Sequence, residues 1–147
     1  MSSFRMIGPK RHGRCCTGGG GNENDWLHNT RIRAYADKHQ LAVVMPHAGY
    51  SRYCNMYWGA DYFDFLTEEL PRIIHTQFPC ISHKREDTLI AGFSLGGSGA
   101  ISLGMLCPEQ YGTIGVISAS SIIPLEHLRP LSAGGPAAPG GPGKLSV

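Results

Sequence analysis

The run Thr88-Leu89-Ile90-Ala91-Gly92-Phe93-Ser94-Leu95-Gly96-Gly97-Ser98-Gly99 decides the fold. Thr88 to Gly92 is mostly apolar and short, the signature of a strand covered on both faces of a parallel sheet. Leu95 to Leu106 follows as a helix rich in small residues. Ser94 stands at the junction, between Gly92 on one side and Gly96 and Gly97 on the other. Gly-x-Ser-x-Gly is common by chance, but here it sits where a strand hands over to a helix. A nucleophile elbow forces its serine into a strained turn, so strand and helix must approach without side chains between them. The helix start then directs its partial positive charge and free N–H groups at the hydroxyl. The competing reading is a helix-capping serine after a tight glycine turn.

Outward from this junction, strands and helices alternate. Leu41-Ala42-Val43-Val44-Met45, stopped by Pro46, predicts a second buried strand, and Thr113 to Ser118 a third. Thr30 can cap a helix running through Arg31 to His39. Asp61 to Phe78 has apolar residues at helical spacing, with Pro71 inside it, so a kink is expected near Glu69 and Leu70. Gly18 to Gly21 form a loop, continued by polar residues from Asn22 to Asn29 around Trp26. Alternation at this pitch predicts an α/β fold with a parallel sheet and flanking helices.

Three segments of unequal character follow from composition. Residues 1–17 are polar, basic and without period, and are expected to be irregular. Residues 18–128 carry the ordered pattern of alternating strands and helices. Residues 129–147, rich in Pro and Gly, are expected to be a disordered tail. The whole chain has 147 residues, 41% hydrophobic and 16% charged, with a net charge of +2. So small a charge gives no reason to expect nucleic acid or an anionic membrane as partner. The 5 cysteines show no CxxC spacing, which points to a reducing, cytoplasmic setting. A zinc site from His12, Cys15 and Cys16 would have the ligand types without the usual spacing. No apolar run is long enough to span a bilayer.

A serine hydroxyl attacks well only when a base takes its proton, and the resulting oxyanion needs donors. The Leu95 backbone N–H is one donor supplied by the elbow itself. The Gly18–Gly21 run is a plausible source of the other, although no buried strand is evident ahead of it. It lacks the Lys-Ser/Thr ending of a phosphate-binding loop.

The ordered set of motifs from Gly18 to Ser120 resembles the esterase D-like α/β-hydrolases, particularly bacterial tributyrin (acetyl) esterases. S-formylglutathione hydrolases and feruloyl esterases are relatives of that group. The matching pieces are Gly-x-x-Gly-Asn-x-x-x-Trp from Gly18 to Trp26, Val43-Val44-Met45-Pro46, and Asp61-Tyr62 with Glu68-Glu69-Leu70-Pro71. Lys84-Arg85-Glu86 and Ala91 to Gly97 complete them. The resemblance implies that residues 18–128 are a partial α/β-hydrolase domain missing its C-terminal strands, and a serine esterase acting on short-chain carboxylic esters through an acyl-enzyme on Ser94. The implied oxyanion donors are Leu95 and Gly19. No cofactor and no metal is implied, and the partner is a small-molecule ester.

Two departures accompany the resemblance. Where the family reads Leu-Leu-His-Gly-Gly, this chain reads Cys15-Cys16-Thr17-Gly18-Gly19. Cys-Cys-Thr-Gly can be encoded as TGC-TGC-ACG-GGG, which read one base earlier after a C gives Leu-Leu-His-Gly, so we expect a frame difference upstream of the glycine run, which the nucleotide sequence tests. The triad of this fold also runs Ser, then Asp or Glu, then His, in later strands. Downstream of Ser94 the sequence offers one histidine, His127, too close after the third strand to match the family's base. Impaired catalysis is therefore expected. The alternative function is a non-catalytic fragment that associates, as a homo-oligomer or with a partner, through an exposed sheet edge. His47 is a candidate to line the site, whereas His28, His39, His75 and His83 read as surface residues. Tyr50, Tyr53, Tyr57 and Trp58 read equally as a pocket lining or as a loop packed on its own core.

Overall fold

The apolar runs become strands, and so does a segment that has no such run. In a computed structural model describing residues 11–56, 58–120 and 144–145, the chain order begins with β1 (His12–Cys16), α1 (Asp25–Asn29), α2 (Ile32–His39), β2 (Ala42–Val44) and β3 (Asn55–Met56). It continues with α3 (Tyr62–Asp64), α4 (Leu70–Gln77), β4 (Thr88–Phe93), α5 (Leu95–Leu106), β5 (Thr113–Ile117) and β6 (Lys144–Leu145). Four strands form one parallel sheet in the order β2-β1-β4-β5. Cys16 pairs with Gly92 and Phe93 with Ile117, so the carboxyl ends of β1, β4 and β5 share one edge. Ligands of open parallel sheets bind outside that edge.

Within the segment expected to be irregular, residues 12–16 form β1, so a strand stands ahead of the glycines where none was expected, while residues 1–10 lie outside the described residues. His-Gly-Arg-Cys-Cys lacks the apolar pattern of a buried strand, yet it lies in the sheet interior, hydrogen-bonded between β2 and β4. Ladder pairing on both sides, rather than side-chain pattern, makes it a strand. The cost is visible. His12 and Arg14 are 1% and 3% exposed, and both ring nitrogens of His12 and the Nε of Arg14 have no hydrogen-bond partner. β2, expected to be buried on both faces, is only half-buried, because it is an edge strand among the described residues.

Pro71 acts as its chemistry demands. Between α3 and α4 the helix widens over Phe65–Glu69 into a π turn, with the Leu70 N–H bonded to the Phe65 carbonyl. Two carbonyls lose their helical donors there, Thr67 because Pro71 has no N–H and Leu66 because Leu70 reaches one residue further back. Side chains from elsewhere replace them. Gln110 Nε2 donates to the Thr67 carbonyl at 2.9 Å and Arg14 to the Leu66 carbonyl at 3.1 Å. The orphaned backbone of one helix thus ties it to β1 and to the turn before β5.

α5 occupies the predicted residues. It packs Ala100 and Leu103 into a core with Leu66, Ile74, Ile90 and Tyr111. Thr30 does not cap α2 as expected: the helix starts at Ile32 with Arg31 as its N-cap and no side-chain cap hydrogen bond, and the Thr30 hydroxyl, one residue further out, accepts from the Ile32 N–H at 3.1 Å. α1 forms where only loop was expected. The Asn22 side chain accepts from the Asn24 N–H at 2.8 Å, and the Asn22 carbonyl from the Asp25 N–H at 3.2 Å, which starts this single turn. Most of the expected tail lies outside the described residues. Lys144 and Leu145 form a short parallel pair with β3. No helix among the described residues is long and apolar enough to cross a membrane.

Candidate active site

Ser94 is the hinge between β4 and α5, at φ 54° and ψ −119°. Only strong local constraint holds an L residue there. The constraint is mutual contact of bare backbone. A β-carbon on Gly92 would lie 1.9 Å from the Gly96 carbonyl oxygen, and one on Gly96 would lie 2.3 Å from that of Cys16. β4, the start of α5 and the end of β1 therefore meet without side chains between them. The Ser94 N–H donates to Ile117 of β5 at 2.9 Å, and the Ser94 carbonyl accepts from the Ser98 N–H at 3.1 Å. The side chain is half-buried.

After β1 the chain turns sharply. The Gly21 N–H returns to the Gly18 carbonyl at 3.1 Å, and Gly20, third in this turn, has φ 78°. A positive φ at that position is what a type II turn requires. The turn's own hydrogen bond uses Gly21 and leaves the Gly19 amide out of it. Gly19 lies against the Leu95 side chain, where a β-carbon would approach Cδ2 to 3.3 Å. The turn and the first residue of α5 are neighbours. Thr17 stabilises the turn through its hydroxyl, which donates to the Asn22 carbonyl at 3.2 Å.

A cleft of about 530 Å³ opens beside the turn, walled by Thr17, Gly18–Gly21, Trp26, Phe93 and Ile117 among others. Trp26, Phe93 and Ile117 make it largely apolar, suited to a short hydrocarbon group. Phe93, the residue before Ser94, is 50% exposed there.

The other residues singled out in the sequence disperse. His47 Nδ1 lies 3.6 Å from a Glu23 carboxylate oxygen, with both side chains about half exposed. Tyr50 is exposed, with its hydroxyl beside Gly20, whereas Tyr53 is buried in the core. Trp58 is exposed. Tyr57 and His127 lie outside the described residues. His28, His39 and His83 are exposed, as expected. His75 departs from that expectation: it is half-buried, its Nε2 has no partner, and its ring meets those of His83 and His12. Cys15 and Cys16, adjacent on β1, point to opposite faces of the sheet, so they do not converge with His12 on one ion. Burial pushes the Cys16 thiol up to about 12 and the Cys15 thiol up to about 11, which keeps both protonated. Among the described residues, no histidine or carboxylate is hydrogen-bonded to the Ser94 hydroxyl.

The Esterase family model matches residues 16–131. The acetyl esterase of Caldicellulosiruptor saccharolyticus is 34% identical over 104 residues, 70% of this chain and 38% of that protein. Among solved structures, the substrate-bound serine hydrolase FphF of Staphylococcus aureus superposes with a TM-score of 0.68 at 33% identity, over 75% of this chain and 42% of its own. The S-formylglutathione hydrolase FrmB of the same organism gives 0.64 at 30% identity, over 77% and 46%. The chain thus spans less than half the length of the relatives it matches. By family model, sequence identity and parallel α/β architecture, the chain belongs to the Esterase family, in its esterase D-like α/β-hydrolase branch.

Proposed function

We propose that Ser94 is the nucleophile of a carboxylesterase site for short-chain acyl esters, with the backbone N–H groups of Leu95 and Gly19 as oxyanion donors. The observation that carries this reading is the Ser94 backbone, at φ 54° and ψ −119° between a strand and a helix start. In the reaction Ser94 Oγ attacks the ester carbonyl and the alcohol leaves with a proton. Water then releases the acid from the acyl-enzyme. The apolar cleft beside Phe93 and Trp26 takes the acyl or the alcohol group. With no base on Ser94 among the described residues, turnover rests on binding and the oxyanion donors, on the order of 10³–10⁴ over water. A fluorophosphonate probe is expected to label the protein, and Ser94→Ala to abolish labelling, while p-nitrophenyl acetate is turned over only at this residual rate, far below that of an enzyme with a complete triad. Rapid Ser94-dependent hydrolysis overturns the impairment, and absence of labelling in folded protein overturns the nucleophile.

One observation favours a second reading, association without catalysis. β5 is the outer strand among the described residues, and Ile114, Val116 and Ile117 on it are 41%, 42% and 52% exposed. An apolar edge strand offers unpaired N–H and C=O groups to another chain.

A further inference from the structure

Tyr53 is a bulky aromatic residue in a left-handed backbone conformation. Its φ is 64°, and that of Arg52 before it is 54°. Such a conformation crowds the β-carbon against the following carbonyl and persists only where the surroundings over-determine it. They do so here. The Ser51 hydroxyl donates to the Ala48 carbonyl at 2.6 Å and accepts from the Tyr53 N–H at 3.1 Å, so one buried side chain braces the bend on both sides. The Cys54 N–H closes back on the Ser51 carbonyl at 3.1 Å.

The bend delivers the Tyr53 side chain to a defined place. Its ring lies flat on α5 at Gly99, where a β-carbon would come within 2.2 Å of Cδ2. Its hydroxyl donates to the Thr17 carbonyl at 2.7 Å. Thr17 is the last residue before the glycine turn, and its carbonyl oxygen also lies against Gly96, in the first turn of α5. The side chain is 3% exposed, and burial raises its phenol well above the ordinary tyrosine range, so the hydroxyl stays a donor at all physiological pH values. Tyr53 therefore joins the helix that bears the Leu95 N–H to the strand end that launches the Gly19 N–H. Two donors serve one oxyanion only if their separation is fixed to within about half an ångström.

We propose that Tyr53 is a positioning residue that sets the spacing of the two oxyanion donors by clamping the Thr17 carbonyl to α5. This rests on the assignment of Leu95 and Gly19 given above. The test is Tyr53→Phe in the full chain, which removes the hydroxyl and keeps the ring on Gly99. Two measurements are paired: the kinetics of fluorophosphonate labelling at Ser94, and amide hydrogen exchange through Gly18–Gly21. The expected result is a labelling rate constant at saturation lower by roughly tenfold or more, since each oxyanion donor is worth about 10²–10³, with the probe's half-saturating concentration unchanged. Exchange in the turn should quicken about tenfold while β4 and α5 keep their protection. Ser51→Ala, which unbraces the bend and leaves the hydroxyl in place, should give the same pattern more weakly, and serves if Tyr53→Phe does not fold. Wild-type labelling kinetics in the variant overturn the proposal, whatever the exchange shows. If the wild type itself is not labelled, the esterase reading falls. The clamp is then decided by exchange alone, faster in the turn supporting it and unchanged refuting it.

Discussion

Holding Ser94 at φ 54° and ψ −119° costs on the order of 1–3 kcal/mol, and the folded chain keeps it there by close backbone contact around Gly92 and Gly96. The contact makes a definite prediction for Gly92. A methyl group at that position would lie 1.9 Å from the Gly96 carbonyl oxygen, a backbone atom with no rotamer to yield. Gly92→Ala should therefore cost about 3 kcal/mol, at the upper end of overpacking effects, read as a lower urea midpoint with an unchanged slope. A change within about 0.5 kcal/mol would show that strand and helix can part without loss. At this scale the sequence was informative: the glycines flanking Ser94 carry their own steric meaning. Tyr53 was less so. Its aromatic character told equally for pocket and core, and nothing local announced its left-handed backbone or its hydroxyl on the Thr17 carbonyl.

Among the elements, α5 and β4 were legible because their apolar runs and their glycines agree with their tertiary roles. β1 was not, because His12 and Arg14 give it the pattern of a solvated segment while it lies in the sheet interior. That conflict has an energetic consequence. Burial, then the Arg14 charge and the neighbouring His75 and His83, lower the His12 pKa to about 4, against a smaller opposing effect of Asp87. Burial, then His83 and Arg14, lower His75 as well. A histidine whose folded pKa lies below its unfolded value of 6.5 leaves the unfolded chain holding the extra proton. Stability is then full above pH 6.5 and falls as the pH drops toward 4. For His12 the loss is on the order of 3 kcal/mol. His12→Leu should flatten the decline in urea-unfolding free energy between pH 6.5 and 4.5. An equal decline in variant and wild type would move the origin elsewhere. The kink at Pro71 was foreseeable from its missing N–H, but its form was not, since the π turn depends on Arg14 and Gln110 arriving from distant segments.

At the scale of the molecule, β5 is the outer strand of the sheet among the described residues, with apolar side chains exposed on it and β4 on its other side. The chain spans 38% of the acetyl esterase it resembles and 42% of FphF, and the described residues bring no base to Ser94. If the β5 edge seeks a partner strand, sedimentation should show mass rising with concentration. Val116→Lys, which places a charge on that strand, should then shift the protein toward monomer. A monomer at all concentrations would remove the associative reading. The catalytic reading is tested most directly by incubating folded protein with a fluorophosphonate probe and mapping the adduct by peptide mass spectrometry. The account predicts one adduct, on Ser94, lost in Ser94→Ala. An unlabelled Ser94, or an adduct on another residue, would contradict it.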